Sequence, residues 1–391
     1  MPHEDQRCHA CNEGRPFPFF ANLNVPADIG KLPNTPNEAR QSACGDIQLV
    51  ACGVCGLVEN RKYDPNLIAF ELGYEVSLFH TPTFQEYICG VCDRLIAKYD
   101  LKGKNLLEIG CGSAEFLSMI CRKGGNHGVG IDPTVGIPSH DRCGSGSIKL
   151  IPEFYSDSYQ QHIGDFVCCL SVFEDIPRPV DFLKRLRKSI GNRNVPLYFE
   201  VFNGHRAISQ LEVWSIHYEQ CNYFSLASLK NMFQLADFDV TNSGTCYQDD
   251  QYIFVEAIPS VTPQHVSCEL PPEFNHDLKQ FTTAFSSRVD WWTKKLEEYR
   301  TDGKRVVCWG SGGKGVTFLS SLPNADVIQQ VIDINPVRQN QFMPATCQPI
   351  DGPDILEVEK PDVVVVTNVL YQHEIMETLA SKNIECELVI A

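Results

Sequence analysis

An apolar run that breaks on two glycines and resumes as a helix constrains this chain more than any other feature. Leu106-Leu107-Glu108-Ile109 leads into Gly110-Cys111-Gly112-Ser113-Ala114-Glu115-Phe116. Twenty-two residues after Gly110, a second apolar stretch, Gly128-Val129-Gly130-Ile131, ends on Asp132. Glycines at 110 and 112 let the backbone turn tightly and approach a ligand with no Cβ in the way. An acid at the tip of the next strand can accept hydrogen bonds from both hydroxyls of a ribose. The full G-x-G-x-x-G of a dinucleotide site is missing, because Ala114 and Glu115 stand where its last glycine belongs. A glycine turn in an α/β unit that binds nothing is the competing account.

The rest of the chain falls into segments around that unit. Residues 1–65 are rich in Pro, Asn, Gly and Cys, with little helical pattern. An amphipathic helix is expected over 83–99. Strands are expected at 104–109, 128–132, 147–151, 165–171, 196–202, 237–243 and 251–257, alternating with helices. Such alternation means βαβ units and a mainly parallel sheet covered on both faces. Pro259, Pro263, Pro271 and Pro272 mark a linker, followed by a helix over 273–300 with Trp291-Trp292. A second strand and glycine loop open at Val306-Val307-Cys308-Trp309-Gly310-Ser311-Gly312-Gly313-Lys314-Gly315, and its next strand ends on Asp333. Further strands are expected at 362–366 and 385–390.

Cysteine spacing adds a separate signal near the start. Cys8-x-x-Cys11 and Cys52-x-x-Cys55 are two knuckles with forty residues between them. Four thiolates so placed can close a tetrahedral structural zinc site, which supports folding and leaves no position for a substrate. Reduced cysteines in a loop-rich lobe are the alternative. Cys89 and Cys92 fall on the 83–99 helix and are expected in its core, and Cys168-Cys169 reads as small buried residues in a strand.

Composition excludes several classes. The net charge of −16 over 391 residues argues against a nucleic-acid grip, which needs clustered Lys and Arg. No apolar run approaches the roughly 18 residues of a membrane span. The first residues hold no apolar signal core, so a cytoplasmic location is expected. Most of the eighteen cysteines should then be thiols or metal ligands rather than disulfides.

Glu108-x-Gly110-x-Gly112 followed by Asp132 resembles the S-adenosylmethionine (SAM) site of class I methyltransferases. Taken in order, the cysteine knuckles, Gly73-Tyr74, that loop, the segment Tyr218-Glu219-Gln220-Cys221-Asn222-Tyr223-Phe224-Ser225, Asp333 and Asn368-Val369-Leu370-Tyr371-Gln372-His373-Glu374-Ile375 resemble three-domain C-methyltransferases acting on nucleotide-linked deoxysugars. The resemblance covers nearly the whole chain. It implies an α/β fold: a small zinc-binding domain over 1–70, a class I SAM methyltransferase domain of Rossmann type over 71–260, and a second Rossmann-like domain over 261–391. SAM is the implied cofactor, with Glu108, Gly110, Gly112, Asp132 and Ser171 around it. Zinc is the implied metal, on Cys8, Cys11, Cys52 and Cys55. A small-molecule partner is implied, a nucleotide-sugar, with Lys314, Asp333 and Asn368 toward it. Either a monomer or a homodimer fits.

The implied chemistry is carbon methylation beside a ketone. A proton leaves carbon, an enolate forms, and the methyl must be held in line; orientation contributes roughly 7–11 kcal/mol and a placed base about 10²–10⁴-fold. The resemblance implies catalytic roles for Tyr74, His217, Tyr218 and Glu219. Two family histidines are replaced: Gln220 stands for one, and Phe173-Glu174-Asp175-Ile176-Pro177 covers the other. Glutamine cannot take a proton near neutrality, so His217 is the expected base, assisted by Tyr74 or Tyr218. Those replacements also keep a second reading open, methyl transfer to oxygen or nitrogen of another small acceptor; a non-catalytic SAM-binding protein is a third. For the second loop, Lys314 would neutralise a pyrophosphate, against the alternative of a helix packed closely on its strand. Asp333 is either a ribose acceptor or a strand-end cap. His140, His162 and His205 are expected to be surface or loop residues.

Overall fold

The computed structural model describes residues 7–136, 140–262 and 273–391; the side chains of 140–143 are outside that description. Pro263, Pro271 and Pro272 of the expected linker, and the His140 side chain, therefore lie outside the described residues.

The amino-terminal segment, in which little helical pattern was expected, contains a sheet. Strands β1 (Phe17–Pro26), β2 (Cys44–Ala51) and β3 (Val58–Asn60) pair antiparallel. A short helix α1 (Pro36–Arg40) starts where the Thr35 hydroxyl accepts the Glu38 N–H, a side-chain cap for an otherwise orphaned donor. Irregular register between Pro18 and Phe20 and between Asn22 and Val25 breaks the alternation by which a strand is recognised.

The middle of the chain alternates as expected. Helix α2 (Pro82–Tyr99) precedes β4 (Asn105–Ile109), α3 (Glu115–Gly124), β5 (His127–Ile131), β6 (His140–Cys143), β7 (Gly146–Ile151), β8 (Phe166–Leu170), α4 (Pro179–Ile190) and β9 (Leu197–Phe202). Then come α5 (Gly204–Ser209), β10 (Asn222–Tyr223), α6 (Leu226–Gln234), β11 (Phe238–Cys246) and β12 (Tyr252–Pro259). One sheet has the order β11-β12-β9-β8-β4-β5-β7-β6. Its five inner strands, β9 to β7, are parallel, while β12, β11 and β6 join antiparallel. Strand order reverses between β4 and β8, which opens a crevice beyond their carboxyl ends. Cys92 on α2 is fully buried, as are Cys168 and Cys169 on β8. Strand β10 leaves this sheet altogether and pairs with β3, Asn222 opposite Glu59 and Tyr223 opposite Val58.

The carboxy-terminal part repeats the theme. After the long helix α7 (Phe274–Thr301) come β13 (Val306–Trp309), α8 (Gly313–Ser320), β14 (Ile328–Ile332), β15 (Gln341–Phe342), β16 (Pro349–Asp351), α9 (Leu356–Glu359), β17 (Val363–Val366), α10 (Gln372–Ser381) and β18 (Glu387–Ile390). Their sheet runs β15-β16-β14-β13-β17-β18, parallel except for β15. The order again reverses, here between β13 and β17. The core of this lobe is continuous with that of the first: Phe20, Val25 and Ile47 share one apolar cluster with Phe281, Trp292 and Phe318. Phe20 meets Phe281 and Phe285 edge-on, at 5.4 and 5.0 Å between ring centres.

Candidate active site and metal centre

Both glycine loops are built the same way. The Gly110 N–H donates to Ile131 C=O and the Gly310 N–H to Ile332 C=O, each at 2.8 Å. Two residues on, the Gly112 N–H donates to Asp132 Oδ2 at 2.8 Å; in the second loop the Ser311 N–H, one residue on, donates to Asp333 Oδ2 at 2.9 Å. Each strand-end acid thus fixes the loop on the neighbouring strand. Gly110 needs its identity twice over: its φ is +71°, and a Cβ there would lie 2.4 Å from a Val172 methyl.

A cavity of about 1180 Å³ joins the carboxyl ends of the two parallel sheets, lined by Gly110, Asp132 and Glu219 from the middle, Ile29 from the first lobe, and Gly312 and Asp333 from the third. That exceeds the roughly 300–1,000 Å³ of most small-ligand sites. At one end Glu108 is buried, with Oε2 unpartnered, and burial pushes its carboxyl well above the ordinary range. Ser171, at the end of β8, adopts φ +53° and lines the same end. Asp132 accepts the Thr134 N–H (2.7 Å) and hydroxyl (2.6 Å) besides Gly112. Three of a carboxylate's roughly four acceptor positions are thereby filled, which leaves room for one ribose hydroxyl rather than the expected two. The orphaned Glu108 oxygen and the glycine-lined cradle fit a polar ligand such as SAM.

On the opposite wall the Tyr74 hydroxyl donates to Glu219 Oε2 at 2.7 Å, and the Gly30 N–H donates to Oε1 at 3.1 Å beside that of Ile29. Glu219 is 1% exposed. Burial, opposed by these donors, pushes its carboxyl up to about 7. His217 also lines the cavity, but its Nδ1 is buried without a partner and desolvation lowers the ring to about 4. The imidazole is therefore neutral near pH 7, free of the cationic form. Gln220 Nε2 is bonded to Asn222 C=O at 2.9 Å.

Tyr218 does not join this group. Its ring stacks on Tyr63, its hydroxyl accepts the Asp64 N–H (2.8 Å) and donates to Lys62 C=O (3.2 Å), and it lies outside the cavity lining. The expectation of a catalytic Tyr218 is corrected: full burial against the first lobe gives it a packing role. Lys314 lines the cavity, yet its Nζ pairs with Glu212 at 3.1 Å. Glu212 also pairs with the buried Arg206, so two cations share this one carboxylate. Asp333 accepts both the N–H and the hydroxyl of Ser311 and the Asn335 N–H; like Asp132 it caps its strand end and keeps one acceptor position. Gly315 sits where a Cβ would be 2.0 Å from Gly310 O, so α8 packs hard on its strand. Asn368 accepts the Leu370 N–H at 3.4 Å and lines the cavity.

Arg338 carries no sequence signal, yet it joins all three lobes. Its guanidinium, 5% exposed, donates to Ile29 C=O (2.8 Å), Ser311 C=O (2.8 Å), Ser311 Oγ (2.7 Å) and Glu75 C=O. Ile29 therefore gives its N–H to Glu219 and its carbonyl to Arg338, one peptide apart.

Far from the cavity, Cys8, Cys11, Cys52 and Cys55 place their sulfurs within 4.8 Å of one another. Cys8 and Cys55 are 3.5 Å apart, Cys11 and Cys52 3.7 Å. A tetrahedron with Zn–S bonds of about 2.3 Å has edges of about 3.8 Å, so the donor set fits such an ion. Gly14 donates its N–H to Cys11 Sγ at 3.5 Å, and any Cβ there would lie 2.4 Å from Cys52 Sγ. Among the described residues no helix is long and apolar enough to cross a membrane.

Comparison with known proteins matches residues 83–243 to a methyltransferase domain and residues 273–390 to a C-methyltransferase C-terminal domain. No curated protein matches significantly. Among solved structures, magnesium protoporphyrin IX methyltransferase from Synechocystis PCC 6803 with bound SAM is 17% identical, covering 46% of this chain and 80% of that one, with a TM-score of 0.33. The 1,6-didemethyltoxoflavin-N1-methyltransferase of Burkholderia thailandensis, with S-adenosylhomocysteine, is 11% identical over 46% of this chain and 81% of that one, with a TM-score of 0.34. On its two domain matches, the chain belongs to the SAM-dependent methyltransferases, a methyltransferase domain joined to a C-methyltransferase C-terminal domain.

Proposed function

We propose that the enzyme methylates a carbon next to a carbonyl in a sugar-sized acceptor, using Glu219 and Tyr74 to move the proton. The observation that carries this reading is a buried carboxyl–phenol pair facing the same cavity as the Gly110 loop. SAM, when bound, supplies an electrophilic methyl group. Glu108, Gly110, Gly112, Asp132 and Ser171 would hold it, Asp132 through a ribose hydroxyl. A carboxyl poised at about 7 accepts a proton near neutrality and can return it, which a fully exposed acid does poorly. Tyr74, held protonated by burial and by Glu219, can donate to a developing enolate oxygen. His217 serves as a neutral hydrogen-bonding wall rather than as the base.

The resemblance extends the acceptor to a nucleotide-linked keto-deoxysugar, and the cavity volume supports room for a donor and such a ligand together. A second reading, transfer to oxygen or nitrogen, is favoured by Gln220, which brings no titratable proton. Loss of a substrate C–H in deuterated water, dependent on Glu219, separates the two: exchange supports carbon transfer, and methylation of a heteroatom product refutes it. Calorimetry tests the donor site. Asp132→Ala should weaken SAM binding at least about tenfold, a loss of about 1.4 kcal/mol; unchanged affinity would remove the site. Zinc on the four cysteines would be structural, and metal analysis should return one ion per chain.

A further inference from the structure

Carboxyl groups without matching cations crowd the cavity where β8 and β9 end. Glu174 is 5% exposed; its Oε1 accepts the Phe202 N–H at 2.9 Å, while Oε2 has no partner. Asp175 beside it lines the cavity, and its side chain makes no hydrogen bond or ion pair among the described residues. The backbone around it is fixed, because Asn222 Nδ2 donates to the carbonyls of Glu174 (3.2 Å) and Ile176 (2.8 Å). Glu200, also lining, is 1% exposed and accepts the hydroxyls of Tyr87 and Tyr198. Phe84, Phe202, Tyr252 and Tyr371 line the same cavity. Of the lining Lys and Arg side chains, Lys314 is paired with Glu212, Arg338 is bound to carbonyls, and Arg185 is exposed on α4.

Buried carboxylates in such company are costly unless something positive joins them. Aromatic faces attract the same kind of ligand. We propose that Glu174 and Asp175 form a subsite for an organic cation, between the Gly110 loop and the Tyr74–Glu219 pair. The proximity is direct, since Val172, two residues before Glu174, packs on Gly110. This deepens the proposed function and rests on its placement of the donor. The cation has two sources, the sulfonium of SAM or an ammonium on the acceptor; either way a phosphate is unwelcome here.

Calorimetry with SAM, S-adenosylhomocysteine and sinefungin, which carries an ammonium in place of the methylsulfonium, separates these. If the sulfonium is the source, SAM and sinefungin bind at least about tenfold more tightly than the neutral homocysteine product. Glu174→Gln with Asp175→Asn then erases that preference and leaves the product's affinity unchanged. If the acceptor is the source, donor and product bind alike, and the product-loaded protein binds D-glucosamine but not D-glucose, an affinity lost in the variant. Asp175→Asn alone, at a side chain with no structural bonds, should show the same trend if the double variant misfolds. No cation preference in either arm overturns the subsite. Failure of S-adenosylhomocysteine to bind at all would instead refute the donor placement, and glucosamine against glucose on the unloaded protein would then read the subsite.

Discussion

Glu219 shows how burial and donors set a working proton affinity. Burial favours the neutral acid, while Tyr74 and the N–H groups of Ile29 and Gly30 favour the anion, and the balance stands at about 7. Because the folded value lies above the ordinary carboxyl value, this group stabilises the fold most at acidic pH. That contribution fades as pH rises through about 7. Infrared titration should show protonated carboxyl absorption disappearing with that midpoint, and Glu219→Gln should remove its share, the remainder belonging to Glu174, which burial also raises to about 7. Tyr74→Phe takes away a donor to the anion, so the midpoint should move upward; a downward move would contradict the assignment. His217, lowered to about 4, contributes no titration near neutrality. Gly110, Gly112 and Asp132 were legible because a strand, a turn and the next strand-end acid lie within one local unit. The contact of Lys314 with Glu212 was hidden for the opposite reason: the two lie 102 residues apart, so nothing near Lys314 in sequence announces it.

At the scale of elements, alternation of strand and helix gave the middle sheet and the third lobe, with boundaries within a few residues. The first sheet was not legible, since β1 carries two register irregularities and five of its ten side chains are exposed at unevenly spaced positions. The second glycine loop turns out to be a packing device. In Gly315→Ala a methyl would have to fit 2.0 Å from Gly310 O, so α8 must shift. Overpacking of this kind costs about 1–3 kcal/mol, measurable as a lower urea midpoint with an unchanged slope. SAM affinity at the Gly110 end should be little altered in that variant.

Across the whole molecule, Arg338 and the shared core decide how the lobes hold together. Arg338→Ala leaves the buried carbonyls of Ile29 and Ser311 without this donor, at about 1–3 kcal/mol for each unsatisfied group, along with the half-buried carbonyl of Glu75, and frees the Ile29 peptide that supports Glu219. Limited proteolysis should then open the junction, and the Glu219 midpoint should shift; neither change would occur if Arg338 were a passive surface residue. Such a residue escapes sequence reading because its partners at 29, 75 and 311 share no pattern with it. Disabling the proposed zinc site, by chelation or Cys52→Ser, should loosen the first lobe while leaving the eight-stranded sheet folded, which hydrogen exchange can resolve. The cysteine spacing made that centre legible, although the sheet beside it was hidden.

The short strand β10 has a consequence for anyone who would cut this protein into parts. Its two residues close the first lobe's sheet from a position more than 160 residues downstream of β3. A fragment that stops before them would expose a raw β3 edge, open to pairing with other chains. Chimeras that exchange the amino-terminal module must therefore import the 222–223 segment with it, or accept a product that clumps.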